Sequence, residues 1–222
     1  MDKKELKITE DGSHTLFIPS LDETYHSSHG AIQESMHVFI AAGLKYIKNK
    51  EIKVLEVGFG TGLNAFLTLL EANKSETSIN YTSLEAFPLE MSLVKQLNYT
   101  SELKLDGNVV ALYNRLHEVE WESVQHITNE FKLKKLKIKL ERFEASEKFD
   151  VIYFDAFAPQ VQPEMWTVNV FEKMYNCLNN NGVLVTYCAK GIVKRALKEV
   201  GFKIESIPGP PGKREMTRAH KI

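Results

Sequence analysis

Cysteine is scarce. Cys177 and Cys188 are the only two in 222 residues, too few for a disulfide framework and at no spacing that builds a metal site. Long apolar runs are missing as well, so no segment approaches the roughly 20 residues of a membrane span. Neither charge sign is in excess: 28 Lys and Arg stand against 29 Asp and Glu. Whole-chain charge therefore gives no support to nucleic-acid binding and leaves only local basic patches open. The opening stretch MDKKELKITEDGSH is charged, with no apolar core, which is not the pattern of a secretory leader. Internal repeats and low-complexity tracts are also lacking. What remains is an ordinary globular composition, 43% hydrophobic and 26% charged, expected to form one domain in a soluble, cytoplasmic protein with no membrane attachment and no metal.

What is present alternates between two periods. Residues 6–30 read as short strands around the turn EDGS and then an irregular segment. Ile32, Met36, Phe39, Ile40, Leu44 and Ile47 recur at helical spacing over 31–50. IKVLEV, INYTSLEA, FDVIYF, GVLVTYC and FKIESIPG read as strands, separated by helical stretches. Residues 105–135 look mostly helical, followed by a β run around LKIKLERF (136–143). QPEMWTVNVFEKMYNCLNNNG reads as one helix, with Pro163 in its first turn and Asn181–Gly182 at its stop. The alternation implies βαβ units and a mostly parallel sheet. The ending, strand–PPGK–strand, leaves no room for a crossover helix and implies an antiparallel C-terminal hairpin. The expected division is 1–48, N-terminal strands and helix covering a site within the same domain, and 49–222, a Rossmann-like core.

VLEVGFGTGLN (54–64) is a glycine-rich turn between an apolar strand and a helix, where backbone approaches a ligand beside a helix N-terminus. Gly58, Gly60 and Gly62 stand two apart, unlike the G-x-G-x-x-G of dinucleotide folds. Glu56 just before them suits a cation better than a pyrophosphate. Glu85 ends the next strand, where an acidic side chain accepts ribose hydroxyls. E-V-G-x-G-x-G followed by a ribose-binding Glu is similar to the class I methyltransferase pattern, with S-adenosylmethionine as cofactor and S-adenosylhomocysteine as product. Asn64 and Phe87 join the cofactor-binding candidates.

FDAFAP (154–159) ends a buried strand on a carboxylate, which is costly unless something there needs it. In the class I fold that strand ends beside the transferable methyl. A nitrogen nucleophile near the lysine reference of about 10.4 must lose a proton first, and Asp155 is the candidate to take it. Phe157, Trp166 and Tyr25 are candidates for substrate contact. Of two basic runs, FKLKKLKIK (131–139) reads as a solvated face, and GKREMTRAHK (212–221) offers Lys213, Arg214 and Arg218 as phosphate contacts. His26 and His29, without further ligands, make no metal site.

Several segments together, TEDGSHTLFIPSLDETYHSSHGAIQES, EVGFGTGLNAF, YTSLEAFPL, FDAFAPQVQPEMW and PGPPGKREMTRA, resemble one family. It is the bacterial tRNA wobble-uridine methyltransferases that convert 5-aminomethyl-2-thiouridine to 5-methylaminomethyl-2-thiouridine, either as the methyltransferase half of MnmC or as a stand-alone MnmD-type protein. The resemblance runs from about Ile8 onward and implies tRNA as the partner. It also implies that Glu56 and the glycines hold the methionine end, Glu85 the ribose, and Asp155 sits at the methyl. With 222 residues and one glycine motif, the FAD-dependent oxidase domain of the bifunctional members is not expected. ERFEAS departs from the small-acidic pair expected at the adenine edge and leaves Glu141 and Glu144 open for that role. The competing readings are a class I methyltransferase acting on a small-molecule amine, a non-catalytic S-adenosylmethionine-binding module, and a dinucleotide-dependent reductase.

Overall fold

The computed structural model describes residues 3–222. Three short strands, β1 (Glu5–Ile8), β2 (His14–Ile18) and β3 (Glu23–Thr24), form a separate antiparallel sheet. Helix α1 (Ala31–Ser35) continues as a π-helical turn over Met36–Ala41. The core then alternates β4 (Glu51–Val57), α2 (Leu63–Ser75) and β5 (Ser78–Leu84), followed by the short helices α3 (Met91–Val94) and α4 (Tyr99–Glu102). Helix α5 (Gly107–Glu118) leads to β6 (Val124–His126), β7 (Phe131–Leu136) and β8 (Phe149–Phe154). The chain ends with α6 (Val168–Cys177), β9 (Leu178–Thr186), α7 (Gly191–Glu199), β10 (Lys203–Pro208) and β11 (Glu215–His220).

The large sheet has the order β10-β11-β9-β8-β4-β5-β7-β6. Its five middle strands are parallel, and β6 and β11 run against their neighbours. The expected C-terminal hairpin is there, but its second strand lies inside: β11 pairs with both β9 and β10. Burial explains the reading of β8. Val151 and Tyr153 face one apolar layer and Ile152 and Phe154 the other, all fully buried. A strand covered on both sides must be apolar throughout, and each such side chain contributes about 1.5–3 kcal/mol.

Three expectations need correction. The helical reading of 105–135 holds only for α5, capped by the Asp106 carboxylate on the N–H groups of Asn108 and Val109. Beyond it the chain turns to strand, because Phe131, Leu133 and Lys135 are buried at period two. The β run around 136–143 is accordingly displaced, and a 3₁₀ turn occupies Leu140–Arg142. The helix expected over 162–182 breaks at Thr167, whose hydroxyl caps α6, and that helix stops at Cys177. Asn181, at φ 64°, sits instead in β9, where the register against β8 is irregular.

FKLKKLKIK is not a wholly solvated face either. Lys135 is fully buried, donating to the His117 carbonyl at 2.6 Å with its ammonium 4.6 Å from the Trp121 ring centroid. Burial pulls its pKa down to about 8. Among the described residues no helix is long and apolar enough to cross a membrane.

Candidate active site

The carboxyl ends of the parallel strands open onto a cavity of about 1350 Å³. The loop after β4 forms its floor. Gly58, Gly60 and Gly62 take φ of +94°, +50° and +71°, a region that side chains disfavour. At Gly58 a Cβ would lie 2.7 Å from the Asp155 carbonyl oxygen, and at Gly62 2.6 Å from His117 Nε2. The loops after β4 and β8 therefore approach backbone to backbone at Gly58. Glu85 braces the same floor, its carboxylate accepting the Gly60 N–H at 2.9 Å and the Phe87 N–H at 2.7 Å. Phe87 itself is exposed on the cavity wall.

Beneath the floor lie two buried side chains with incomplete partners. Glu56 is fully buried; one oxygen accepts from Ser83 Oγ at 2.5 Å and the other, Oε1, meets no donor. Burial, reinforced by the nearby Asp155, holds its carboxyl well above the usual range. Asn64 donates to Asp155 Oδ2 at 2.8 Å, while its Oδ1 is unpartnered. Buried polar atoms without partners are rare and need a reason.

Asp155 follows β8 directly and lines the cavity. Burial first, then the Glu34 carboxylate, raise its pKa to about 7, against the opposing pull of Asn64 and Lys213. Phe157 lines the same wall and meets Tyr25 edge-on at 5.2 Å. Trp166 stands behind that wall, buried on Phe154 and donating to the Phe157 carbonyl at 2.8 Å. It supports the wall without facing the cavity.

The C-terminal cations separate. Arg214 is exposed on the cavity rim, and Lys213 turns inward. Arg218 is not brought to the cavity: it pairs with Glu205 at 2.8 Å and lies 4.1 Å from the Tyr46 ring centroid. Glu141 lines the cavity beyond Glu85, whereas Glu144 does not. The sequence reading passed over Tyr187, which reaches the cavity from the end of β9. An aromatic at the carboxyl end of a parallel strand beside β8 was the available signal. Among the described residues no group of three or more His, Cys, Asp or Glu side chains is arranged to hold a metal ion.

A family model described as S-adenosyl-L-methionine-dependent methyltransferase matches residues 104–222, more than half of the chain. The chain belongs to that family. The methyltransferase is also 30% identical over 230 residues to a Burkholderia multivorans protein, covering 95% of this chain and 34% of that one. A Marinomonas protein is 29% identical, over 88% of this chain and 31% of its own length. Both are named tRNA 5-methylaminomethyl-2-thiouridine biosynthesis bifunctional protein MnmC. The methyltransferase thus spans about a third of the length of the curated relatives it matches. The crystal structure of MNMC2 from Aquifex aeolicus superposes with a TM-score of 0.79 at 27% identity, covering 99% of this chain and 71% of that one.

The cavity floor fits the family's cofactor. A glycine cradle, the orphaned Asn64 Oδ1 and a carboxylate at the end of β5 suit a ligand with an ammonium at one end and a ribose diol at the other, while Glu56 and Gly62 lie behind the lining rather than on it. Gly58→Ala tests the cradle. It forces a side chain into left-handed backbone and against the Asp155 carbonyl, at a cost of about 1–3 kcal/mol. The expected result is lowered stability in urea unfolding together with S-adenosylhomocysteine binding weakened by tenfold or more in calorimetry, tenfold being about 1.4 kcal/mol.

Proposed function

We propose that the methyltransferase transfers a methyl group to the 5-aminomethyl nitrogen of wobble (2-thio)uridine in tRNA, giving 5-methylaminomethyl-(2-thio)uridine in the cytoplasm. The observation that carries this is Asp155, a carboxylate with a raised pKa on the wall of a cavity of about 1350 Å³. That volume exceeds the roughly 300–1,000 Å³ of ordinary small-molecule pockets and leaves room for a base beside the cofactor. The names of the MnmC relatives supply the substrate class.

When bound, S-adenosylmethionine supplies an activated methyl on a sulfonium. Glu56 and Asn64 would hold its ammonium, the glycines its methionine backbone, and Glu85 its ribose hydroxyls, with Phe87 beside the adenosine. Asp155 attracts the substrate ammonium, takes its proton and aims the freed lone pair. A pKa near 7 is matched to that task, since a general base works best near the operating pH. Tyr25 and Phe157 flank the incoming base. The described residues of the 1–48 segment act as a cover belonging to the same domain, reaching the cavity through Tyr25, His26 and Ser27. Arg214, with Lys139 and Lys190 on the rim, meets RNA phosphates, so binding falls as salt rises.

The test is incubation with labelled S-adenosylmethionine and tRNA carrying 5-aminomethyl-2-thiouridine, followed by nucleoside analysis. Label in the methylaminomethyl nucleoside is the expected result. Label confined to added small amines, with the tRNA untouched, overturns the substrate assignment.

A further inference from the structure

Lys213 belongs to a basic run, yet its side chain is drawn inward. Its Nζ lies 2.5 Å from Glu34 Oε1 and 4.0 Å from the centroid of the Tyr187 ring. Glu34 reaches this point from α1; its side chain is 8% exposed, and its second oxygen accepts the Ser27 N–H at 2.8 Å. Tyr187 in turn donates to the carbonyl of Ala156, the neighbour of Asp155, at 2.9 Å. The turn carrying Lys213 is seated firmly. Gly212 has φ +80°, and a Cβ there would strike the ring of His29.

Segments far apart in sequence thus place a cation and a second carboxylate on the cavity that Asp155 lines. Stability alone gives little reason for such a pair, because apolar replacements of buried ion pairs are often equally stable. We propose that Glu34 and Lys213 form a positioning pair for Asp155, holding a fixed cation on the cavity that its carboxylate shares, where the accepting amine docks. This rests on Asp155 being the proton acceptor assigned above.

The groups around Asp155 support the assignment. Glu56 on β4 is held towards its neutral form by burial. Tyr81 on β5 and Tyr187 after β9 have hydroxyls whose pKa burial drives upward, so they remain uncharged. Glu34 and Lys213 act on Asp155 in opposite senses, the carboxylate raising its pKa and the ammonium lowering it. Lys213 thereby offsets part of the rise that burial and Glu34 impose on Asp155. Glu34 fixes the lysine, which would otherwise swing on four methylenes.

The decisive measurement is the titration of the Asp155 carboxyl by carbon NMR in the ligand-free protein, assigned with Asp155→Asn. Lys213→Met should raise its pKa by about half a unit or more, Lys213→Arg should leave it near the wild-type value, and Glu34→Gln should lower it. The acid limb of the pH–kcat profile should move with each titration. The inference is overturned if Asp155 titrates alike in Lys213→Met and Glu34→Gln, or if both move it in the same direction. Activity lost with the titration unmoved also overturns it, because the pair then only braces the wall. No substrate enters the NMR measurement. A wild-type protein inactive on tRNA therefore counts against the substrate reading, and an unmoved titration against the pair.

Discussion

Asp155→Asn is expected to lower methyl transfer by about a hundred- to ten-thousand-fold, the usual contribution of a general base, while S-adenosylhomocysteine binding changes little. The amide keeps the shape of the carboxylate and a hydrogen bond to Asn64. It loses the charge that attracts an ammonium and the lone pair that takes its proton. Raising the pH should partly restore turnover, because more of the amine is then already deprotonated. The wild-type enzyme should lose activity as the pH falls through about 7, where Asp155 takes up its proton.

The same substitution has an opposite effect on stability. The folded pKa of about 7 lies above the ordinary aspartate value of 3.8. Asp155 therefore favours folding most at pH below 3.8, and that contribution is lost as the pH rises through 7. At pH 8 the ligand-free wild type holds an ionised carboxylate in a poorly solvated place. Removing it should stabilise the fold by up to ~4 kcal/mol, since each pKa unit is about 1.4 kcal/mol. Urea unfolding of both proteins at pH 4 and pH 8 measures this. A gap that does not widen with pH, beside near-normal turnover of the variant, would mean that the carboxylate is structural.

Glu85→Ala should weaken S-adenosylhomocysteine binding by at least tenfold and by about a thousandfold if both ribose hydroxyls bond to the carboxylate. Hydrogen bonds to charged groups contribute roughly 1.5–3 kcal/mol each. The N–H groups of Gly60 and Phe87 lose their acceptor at the same time, so the glycine floor loosens as well. Glu85→Gln keeps one neutral acceptor and should fall between the two. Calorimetry giving equal affinities for wild type and Glu85→Ala sinks the ribose assignment.

Legibility in the sequence followed burial. Strand β8 and the Val183–Val185 stretch of β9 were readable because both of their faces are covered, which writes an unbroken apolar run, whereas β4 and β5 carry polar residues and were placed by their alternation with helical stretches. β7 was not readable, because Lys135 occupies an inward position, and a buried lysine looks like a surface one until His117 and Trp121 are seen around it. The floor of the cavity was local in sequence: Glu56, the three glycines and Asn64 fall within nine residues, and Glu85 ends the next strand. The wall opposite was not, because Glu34 and Lys213 are 179 residues apart and nothing in either neighbourhood names the other. Trp166 and Arg218 had the right residue types for substrate contact, but their side chains are committed to Phe157 and Glu205.

The order of strands in space sets an order in time. β10 precedes β11 in the chain, yet β11 is its only partner strand among the described residues. Until β11 is made, β10 has no partner strand among the described residues, and the hairpin turn between them cannot close. That turn carries Lys213. The wall that Lys213 supplies to the cavity therefore cannot be complete before β11 is made, whereas every residue of the glycine floor precedes it by more than a hundred positions.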